Sequence, residues 1–281
     1  MPELPEVETI RLQAEKKLLG HKIKKIDVLA PKMFLGDSTR ICNSPIIAVS
    51  RRAKVLQIKF KNKKSLLVHF KLNGQLILSS KFSAKGGSAS GGKNQNSISD
   101  RFTRIILYLD DGDYLLFNDQ RKFAWMKVVE TKEYEKEKTV PEPLKPEFTV
   151  EYLQKICEKS GKPIKILLMD QEKIGGLGNI YANEALYLAK INPQKQAKKL
   201  SPEEIKLLHD SIIRIIESAI KLKGSSGKDG EYKQIDGSPG EYQNHFQVYQ
   251  QDGQKCQRCG NIIKRVTIGG RGTFFCPNCQ K

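Results

Sequence analysis

The spacing of apolar residues along the chain changes from a helical pattern to a strand-like pattern and back again. Apolar positions from Val7 to Leu18 recur at helical spacing and predict a helix over residues 6–19, with Gly20 as its C-cap. Between residues 21 and 130, short alternating or fully apolar runs are separated by turn-prone pieces. This pattern of apolar runs and turns predicts a strand-rich domain, either a sandwich or a barrel.

Helix signals dominate the second half of the chain. Thr149 can cap a first helix, Pro163 opens a second, and residues 180–190 form a third. Ser201 begins a capping box that includes a proline at the first helical position and leads a long amphipathic helix. A strand-rich first half and a helical second half predict the α+β class.

Two segments of low apolar content interrupt these patterns. Residues 83–99 are rich in glycine and serine, and we expect a flexible surface loop because strand-like runs continue on both sides. Residues 132–148 are charged and proline-bearing, which predicts a linker. The predicted domains are residues 1–131 for the strand-rich part, 149–247 for the helical part and 248–281 for a cysteine-bearing module.

Four of the six cysteines form two Cys-x-x-Cys knuckles that are separated by 16 residues: Cys256, Cys259, Cys276 and Cys279. Four thiolates at this spacing suit tetrahedral zinc with no open position, whereas a redox dithiol needs only one knuckle. The module is too short for a core of its own, so metal binding would supply most of its folding energy. We therefore predict one structural Zn²⁺, with Cys42 and Cys157 as buried thiols outside the site.

The residues between the knuckles predict a hairpin. Residues 262–263 and 266–268 read as strands, and the glycine-rich residues 269–273 read as the turn. Arg271 then lies at the tip, where it could contact a phosphate or be an ordinary exposed arginine. A zinc ribbon alone does not specify function, because ribbons also occur in ribosomal and transcription proteins.

The net charge of +18 and the pI near 9.5 favour a polyanionic partner, most often nucleic acid. A solvated basic surface is the alternative, and charge does not separate DNA from RNA. No apolar run has the length of a membrane span, and no signal peptide precedes the first motif. We expect a reducing compartment, where cysteines bind metals more often than they form disulfides.

The first residues carry candidate chemistry. When the initiator Met1 is removed, Pro2 becomes a terminal secondary amine that can attack an aldehyde carbon and form a cationic imine. Glu3 beside it can act as a general acid or base. The alternative is a simple helix start, which accounts for Pro5 and Glu6 but leaves Pro2 and Glu3 unexplained.

Further candidates for nucleic-acid contact lie in loops and at strand ends. The glycine-rich residues 175–179 precede a helix and end in Asn179, so they could bind a phosphate or form an ordinary turn. Residues 118–125 mix cations with Phe123 and Trp125, which could stack on bases or belong to the core. His69, inside an apolar strand, reads as a structural or phosphate-contacting residue rather than a metal ligand.

Together these motifs resemble the bacterial formamidopyrimidine-DNA glycosylases, whose group also includes the endonuclease VIII-like enzymes. The resemblance follows the chain in order through MPELPEVET (1–9), RRAKVL (51–56), HFKLNG (69–74), DQRKFAW (119–125), LLMDQEKIGGLGNIYANEAL (167–186), DGSPGEYQNHFQVY (236–249) and the four-cysteine ribbon. Leu4 favours the formamidopyrimidine branch, because the other branch usually has glycine there.

The resemblance implies an N-terminal β-sandwich, a helix–two-turn–helix domain and a zinc finger, with DNA in the cleft between. It implies a bifunctional enzyme of base excision repair that acts on damaged double-stranded DNA. Such an enzyme excises oxidised purines, chiefly 8-oxoguanine and formamidopyrimidines, and then cleaves the strand by β,δ-elimination. The resemblance further implies a monomer in the bacterial cytoplasm, associated with the nucleoid through DNA.

The resemblance also implies roles for individual residues. Pro2 would attack C1′ of the damaged nucleotide and Glu3 would assist ring opening, while Lys54 would contact a phosphate and donate a proton during β-elimination. Arg271 would grip phosphates around the lesion, and Asn179 would bind backbone phosphate. The flipped nucleotide would leave a space, and the residues matched to filling it are Leu72, Arg121 and Phe123, with His69 as a further DNA contact.

Some positions depart from the family pattern. Leu72 stands where methionine is usual, and Phe102 and Arg104 stand where histidines are frequent. Residues 224–232, which match the loop over the flipped base, form a longer loop, and this leaves the lesion preference open. Two alternatives remain: an endonuclease VIII-like lyase that prefers oxidised pyrimidines, and a non-catalytic binder of damaged DNA. The intact Pro2, Glu3 and Lys54 favour catalysis, because binding alone does not require a terminal amine.

Overall fold

The computed structural model describes residues 1–79, 101–227 and 230–281, which form two compact units. The first unit contains Met1–Pro2, Glu6–Lys138 and Ser225–Gly240, and the second contains Glu3–Pro5, Thr139–Gly224 and Glu241–Lys281. The predicted surface loop at residues 83–99 lies outside the described residues. In the part of the chain that is described, no helix is both long and apolar enough to cross a membrane.

The first unit is built from an N-terminal helix and two β-sheets. Helix α1 spans Leu4–Leu18, and all but its first two residues belong to this unit. The strands are β1 (Ile23–Val28), β2 (Phe34–Leu35), β3 (Ile46–Arg52), β4 (Val55–Phe60), β5 (Lys64–His69), β6 (Gln75–Ser79), β7 (Thr103–Leu109), β8 (Tyr114–Asn118) and β9 (Trp125–Glu130). A short helix that the sequence pattern did not predict, α2 (Thr131–Lys136), follows β9.

The two sheets share one hydrophobic core. Their strand orders are β1-β7-β8-β6 and β2-β9-β5-β4-β3, with antiparallel neighbours except for the parallel pair β2 and β9. Val68 of β5 and Leu107 of β7 are fully buried in the same cluster, together with Val7 and Ile10 of α1. Apolar side chains from both sheets therefore meet in one layer, as the alternating pattern predicted for a sandwich.

The second unit contains four α-helices and a hairpin. The helices are α3 (Val150–Glu158), α4 (Ile164–Leu168), α5 (Asn179–Leu188) and α6 (Pro202–Lys221). Two predicted starts are confirmed, because the Thr149 side chain accepts a hydrogen bond from the Tyr152 N–H, and Ser201 and Glu204 complete a capping box. The apolar faces of these helices pack into a core with Ile212, Ile216 and other buried residues.

The C-terminal hairpin differs in detail from the predicted one. Its strands are β10 (Lys264–Ile268) and β11 (Arg271–Phe275), joined by Gly269 and Gly270 at φ values of +56° and +72°. Two glycines with positive φ complete the turn, so the chain re-enters the sheet at Arg271. The predicted strand at residues 262–263 is wrong, since Ile262 makes only an isolated bridge to Lys255.

Candidate functional site

Three neighbouring strands of the first unit bring several predicted site residues to one end of a sheet. Val55 at the start of β4 pairs with His69 at the end of β5, and His69 pairs with Trp125 at the start of β9. Because these three residues lie side by side, three loops meet the sheet at the same end of its strands. They are the loop before β4, the loop after β5 and the loop before β9. Those loops carry Lys54, Leu72, Arg121 and Phe123.

The turn before β4 holds Lys54 in a defined position. Ala53 has φ +48°, a left-handed conformation that lets two residues connect β3 to β4. The Arg51 guanidinium donates to the Ala53 carbonyl at 2.8 Å and to the Glu8 carboxylate of α1 at 2.9 Å. Lys54 is 7% exposed, so most of its stem is buried. The Glu8–Arg51 pair, for which the sequence carries no local signal, thus anchors the lysine's turn to α1.

The turn after β5 depends on His69. The Lys71 N–H donates to His69 Nδ1 at 3.0 Å, and the Gly74 N–H donates to the Phe70 carbonyl at 2.8 Å. A Cβ at Gly74 would lie 2.6 Å from that carbonyl oxygen, so the turn requires glycine. Leu72 lies at this turn and is half-buried.

The environment of His69 keeps its imidazole neutral. Burial, followed by the nearby positive charges of Lys71 and Lys54, lowers the pKa of His69 to about 4. Because Nδ1 accepts from the Lys71 N–H, the neutral ring carries its proton on Nε2. The ring centroid lies 5.5 Å from that of Trp125. His69 can therefore offer a neutral N–H donor to a phosphate oxygen, but no positive charge.

The loop before β9 is organised by Asp119. One carboxylate oxygen accepts from the Arg121 N–H at 2.9 Å, and the other accepts from the N–H groups of Phe123 and Ala124 at 2.8 Å each. Asp119 is 1% exposed, whereas Phe123 is 57% exposed and Arg121 is also exposed. The loop thus presents a cation and an aromatic ring outward on a rigid base. The Arg104 Nε donates a hydrogen bond to the Asp119 carbonyl at 2.8 Å.

Asp119 was not identified from the sequence, although a signal for it was present. An aspartate that directly follows a strand commonly accepts hydrogen bonds from backbone groups a few residues on. The pattern predicted the exposed residues of the loop but not the residue that shapes it.

The amino group of Met1 lies in the first unit, close to an acidic side chain. Its amine lies 3.8 Å from the Glu231 carboxylate, and the Gln75 side chain donates to the Glu231 carbonyl at 2.7 Å. Pro2 is buried, and Met1 is 44% exposed. Glu231 belongs to the longer loop at residues 224–232, of which residues 228 and 229 are not described.

In the second unit, Glu3 lies at the N-terminal end of α5. The Ile180 N–H donates to Glu3 Oε1 at 3.0 Å, and Gly178 is the N-cap residue of the helix. The carboxylate is 2% exposed and lies so close that a Cβ at Gly178 would be 2.3 Å from Glu3 Cδ. The glycine therefore makes room for the carboxyl group, and the Ile180 N–H at the start of the helix binds one of its oxygens.

Polar side chains connect this helix end to the hairpin. The Asn179 amide donates to the Gly272 carbonyl at 3.2 Å, and Lys165 Nζ donates to the same carbonyl at 2.8 Å and to Thr273 Oγ1 at 2.7 Å. Burial, and then the charge of Arg271, lowers the pKa of Lys165 to about 8. Lys165 is fully buried, and no motif in the sequence distinguished it from the many surface lysines.

Arg271 lies at the first position of β11, opposite Ile268, rather than at the tip of the turn as predicted. Its side chain is exposed. The hydrogen bonds of Asn179 and Lys165 to Gly272 fix the backbone next to it. Arg271 is therefore an exposed cation on an anchored strand.

The four predicted zinc ligands lie together. Their sulfur atoms are within 4.8 Å of one another, with Cys259 and Cys276 at 3.5 Å and Cys256 and Cys279 at 3.9 Å. A tetrahedral site with zinc–sulfur bonds of about 2.3 Å places its sulfurs about 3.8 Å apart. A disulfide would need about 2 Å. The cysteines thus fit zinc and not disulfides.

Outside the cluster Cys157 is buried as predicted, but Cys42 is only half-buried, because its strand-linking segment lies near the surface.

Comparison with known proteins identifies the family. Models of the formamidopyrimidine-DNA glycosylase N-terminal domain, of its H2TH domain and of the zinc finger found in FPG and IleRS match residues 1–126, 140–230 and 253–281. The chain belongs to the formamidopyrimidine-DNA glycosylase family. The formamidopyrimidine-DNA glycosylase of Lactococcus lactis subsp. lactis is 37% identical over 289 residues, with 100% of both chains covered.

Solved structures of this glycosylase family are similar over the whole chain. A complex between the Lactococcus lactis Fpg and DNA containing an abasic site has a TM-score of 0.87 at 35% identity and covers 99% of each chain. A complex of the same protein with DNA containing an oxidised pyrimidine has a TM-score of 0.86 at 35% identity and covers 100% of each.

Family membership confirms several predictions. The resemblance to the formamidopyrimidine-DNA glycosylases, the α+β class with a C-terminal zinc finger, the function as a DNA glycosylase of base excision repair, and the single structural zinc are confirmed. DNA is the partner of the similar solved structures. The domain boundaries and the roles of the individual site residues stay predictions.

Proposed function

We propose that the protein is a bifunctional glycosylase and lyase that excises oxidised purines from double-stranded DNA and then cleaves the strand by β,δ-elimination. The observation that carries this proposal is the position of Glu3. Its carboxylate is buried at the N-terminal end of α5 and hydrogen-bonded to the Ile180 N–H. A helix start does not need a carboxylate there, whereas a catalyst beside a terminal amine does.

The proposed reaction begins after removal of Met1. The Pro2 nitrogen attacks C1′ of the damaged nucleotide as the bond from C1′ to the base breaks, and the departing base takes up the proton that the Pro2 nitrogen loses. Glu3 delivers a proton to the sugar ring oxygen, so that the ring opens to a cationic imine between Pro2 and C1′. Loss of a C2′ proton then expels the 3′ phosphate, and a second elimination expels the 5′ phosphate. In this scheme Lys54 contacts phosphate and supplies a proton during β-elimination.

The edge that carries the Val55–His69–Trp125 row supports a role in holding DNA. Lys54 supplies a cation and His69 a neutral N–H donor, both suited to phosphate oxygens. Leu72, Arg121 and Phe123 are proposed to occupy the space that a flipped nucleotide leaves. The exposed Phe123 ring, with the Arg121 guanidinium 5.9 Å from its centroid, suits stacking against bases.

In the second unit, Arg271 and Asn179 are proposed to bind phosphates near the lesion. The Asn179 amide already donates one hydrogen bond to Gly272, and its second N–H remains suited to an oxygen acceptor. Zinc, held by the four cysteines, would fix the hairpin that carries Arg271.

We further propose a monomer in the bacterial cytoplasm, associated with the nucleoid through DNA, and functional domains at residues 1–131, 149–247 and 248–281 joined by the linker 132–148. The proposed scheme assigns no role to a residue from a second copy of the chain. Gel filtration at micromolar concentration should give the mass of one chain, and a dimer would contradict this.

The direct test is borohydride trapping on duplex DNA that contains 8-oxoguanine. Protein whose loss of Met1 is verified by mass spectrometry should form a covalent adduct. A variant with a residue retained before Pro2 should not, because its nitrogen is then an amide. Glu3→Gln should keep DNA binding but lower base excision by roughly 10²–10⁴-fold. The matched control is Glu217→Gln, at an exposed position of α6, which should behave like wild type.

A panel of duplexes separates the remaining alternatives. Excision of 8-oxoguanine and formamidopyrimidines in preference to oxidised pyrimidines supports the proposal, and the reverse order favours the endonuclease VIII-like alternative. The Lactococcus complex with oxidised-pyrimidine DNA gives a reason to include that lesion. Absence of an adduct on every oxidised duplex would leave only damage binding.

A further inference from the structure

The C-terminal end of α5 contacts the predicted zinc site through Tyr187. Its phenolic oxygen lies 3.3 Å from the sulfur of Cys256, and the two residues are 3% and 2% exposed. Oxygen and sulfur at this distance form a hydrogen bond in either direction while both carry hydrogen. A zinc-bound cysteine is a thiolate without a proton, so with metal present the phenol must be the donor.

Arg258 holds the Tyr187 ring from the knuckle side. It lies between the two cysteines of the first knuckle, and its guanidinium carbon is 4.3 Å from the centroid of the Tyr187 ring. Its Nη1 also donates to the Tyr187 carbonyl at 3.1 Å. A stacked and hydrogen-bonded arginine leaves the ring little freedom to rotate its hydroxyl away from Cys256.

The second knuckle is attached to the same part of the chain by different groups. The Cys276 N–H donates to Gln280 Oε1 at 2.9 Å, and Gln280 Nε2 donates to the Ile191 carbonyl at 2.9 Å, just beyond α5. Gln280 thus binds the backbone of a zinc ligand, Cys276, whereas Tyr187 contacts the sulfur atom of a zinc ligand, Cys256. A donor to a thiolate changes the electron density on the metal ligand itself.

We propose that Tyr187 is a positioning residue of the zinc site, donating a hydrogen bond to the Cys256 thiolate while Arg258 fixes its ring. The hydrogen bond offsets part of the thiolate charge and orients the sulfur toward the metal. Zinc retention then depends on a residue of α5 as well as on the four ligands. The inference concerns metal binding alone and does not rest on the proposed reaction.

The test is Tyr187→Phe in the full-length protein, which removes the donor but keeps the ring under Arg258. Competition with a chromophoric zinc chelator should show about 10-fold weaker zinc binding than wild type. The matched control is Tyr152→Phe, which removes a phenol that donates to the Lys173 carbonyl at 2.8 Å, away from the cysteines. That variant should bind zinc as wild type does.

Cobalt substitution separates the hydrogen bond from simple packing. The thiolate-to-Co²⁺ charge-transfer band reports electron density on sulfur, so it should shift in Tyr187→Phe and not in Tyr152→Phe. Unchanged zinc affinity in Tyr187→Phe would overturn the proposal. Weaker affinity with an unshifted band would also overturn it, because packing rather than donation would then explain the loss.

A second variant tests the role of Arg258. Arg258→Ala, at an exposed position, frees the ring without removing the phenol and should weaken zinc binding less than Tyr187→Phe does. In the double variant the effect of Arg258→Ala should disappear, because the ring no longer carries a donor to orient. Additive losses of affinity would contradict the proposed coupling.

Discussion

The Glu3 carboxylate and the Gly178 backbone are in direct van der Waals contact, and a single added Cβ would have to lie 2.3 Å from Glu3 Cδ. We therefore expect Gly178→Ala to displace Glu3 from the Ile180 N–H. Base excision should fall at least 10-fold, since a misplaced catalytic group loses its geometry. Stability should fall by about 1–3 kcal/mol, because a buried carboxylate loses a hydrogen bond. Single-turnover excision and denaturant unfolding would measure the two effects.

Gly161→Ala is the control for this change. A Cβ at Gly161 meets nothing within 4 Å, and the position needs no left-handed backbone. It should leave excision unchanged. Wild-type excision by Gly178→Ala would show that the position of Glu3 is not required.

Asp119→Asn should disrupt the loop that presents Arg121 and Phe123. In the variant an NH₂ group replaces one of the two carboxylate oxygens. This NH₂ group cannot accept a hydrogen bond, and it would face either the N–H of Arg121 or the N–H groups of Phe123 and Ala124. We expect a loss of about 2 kcal/mol in the free energy of unfolding. DNA affinity should fall as well, measured by fluorescence anisotropy.

Asp37→Asn is the matched control. One oxygen of Asp37 accepts both hydrogen bonds from Thr39, so an amide can replace the other oxygen without facing a donor. Its stability and DNA affinity should stay close to wild type. Equal losses in both variants would mean that the Asp119 loop has no special role.

The pKa of His69 can be measured directly, because the chain has only four histidines. We expect one imidazole signal in the NMR titration to move with a midpoint near pH 4, and to vanish in His69→Gln. The folded-state pKa is below the unfolded value of 6.5, so the unfolded chain binds the extra proton first. Stability should therefore fall between pH 6.5 and 4 by roughly 3 kcal/mol.

His69→Gln should lack this part of the pH dependence. The comparison is made between the two proteins at each pH, so that titration of other groups cancels. A His69 midpoint near pH 6.5 would show that burial and the neighbouring lysines do not lower the pKa of this imidazole.

Removal of zinc should unfold the hairpin and abolish DNA binding. Without the metal, nothing joins the four cysteines to one another, and the ribbon has little core to stabilise it. Metal content, circular dichroism and anisotropy should change together on chelation and recover together when zinc is restored. Full DNA affinity after proven zinc loss would contradict this expectation.

DNA binding should weaken steeply with salt. With a net charge of +18, contacts to phosphates should dominate affinity, and their formation releases counterions from the DNA. A plot of log K against log salt should have a negative slope that becomes shallower in Lys54→Gln. A flat response in wild type would argue against phosphate contacts.

Features set by neighbouring residues were predictable from the sequence. The helix starts at Thr149 and Ser201 follow from side chains that cap the backbone three residues away. The zinc ligands follow from spacing within each knuckle. The sequence predicted Arg271 at the tip of the turn, whereas Arg271 is the first residue of β11. Sequence alone does not show whether a glycine-rich run uses two residues or five to turn.

Features that join distant segments were not predictable in this way. Arg51 meets Glu8 across 43 positions, and Lys165 meets Thr273 across 108. A buried lysine resembles a surface lysine until the fold supplies its carbonyl and hydroxyl partners. The family resemblance supplied candidate catalytic residues, but the residues that position them became visible only through the fold.

Helix α5 is a spacer of fixed length between Glu3 and the first zinc knuckle. Its ten residues separate the end that binds Glu3 from the end that carries Tyr187. Each inserted or deleted residue would change its length by about 1.5 Å and rotate one end against the other by about 100°. A change in the length of the helix would therefore disengage either Glu3 or the first zinc knuckle.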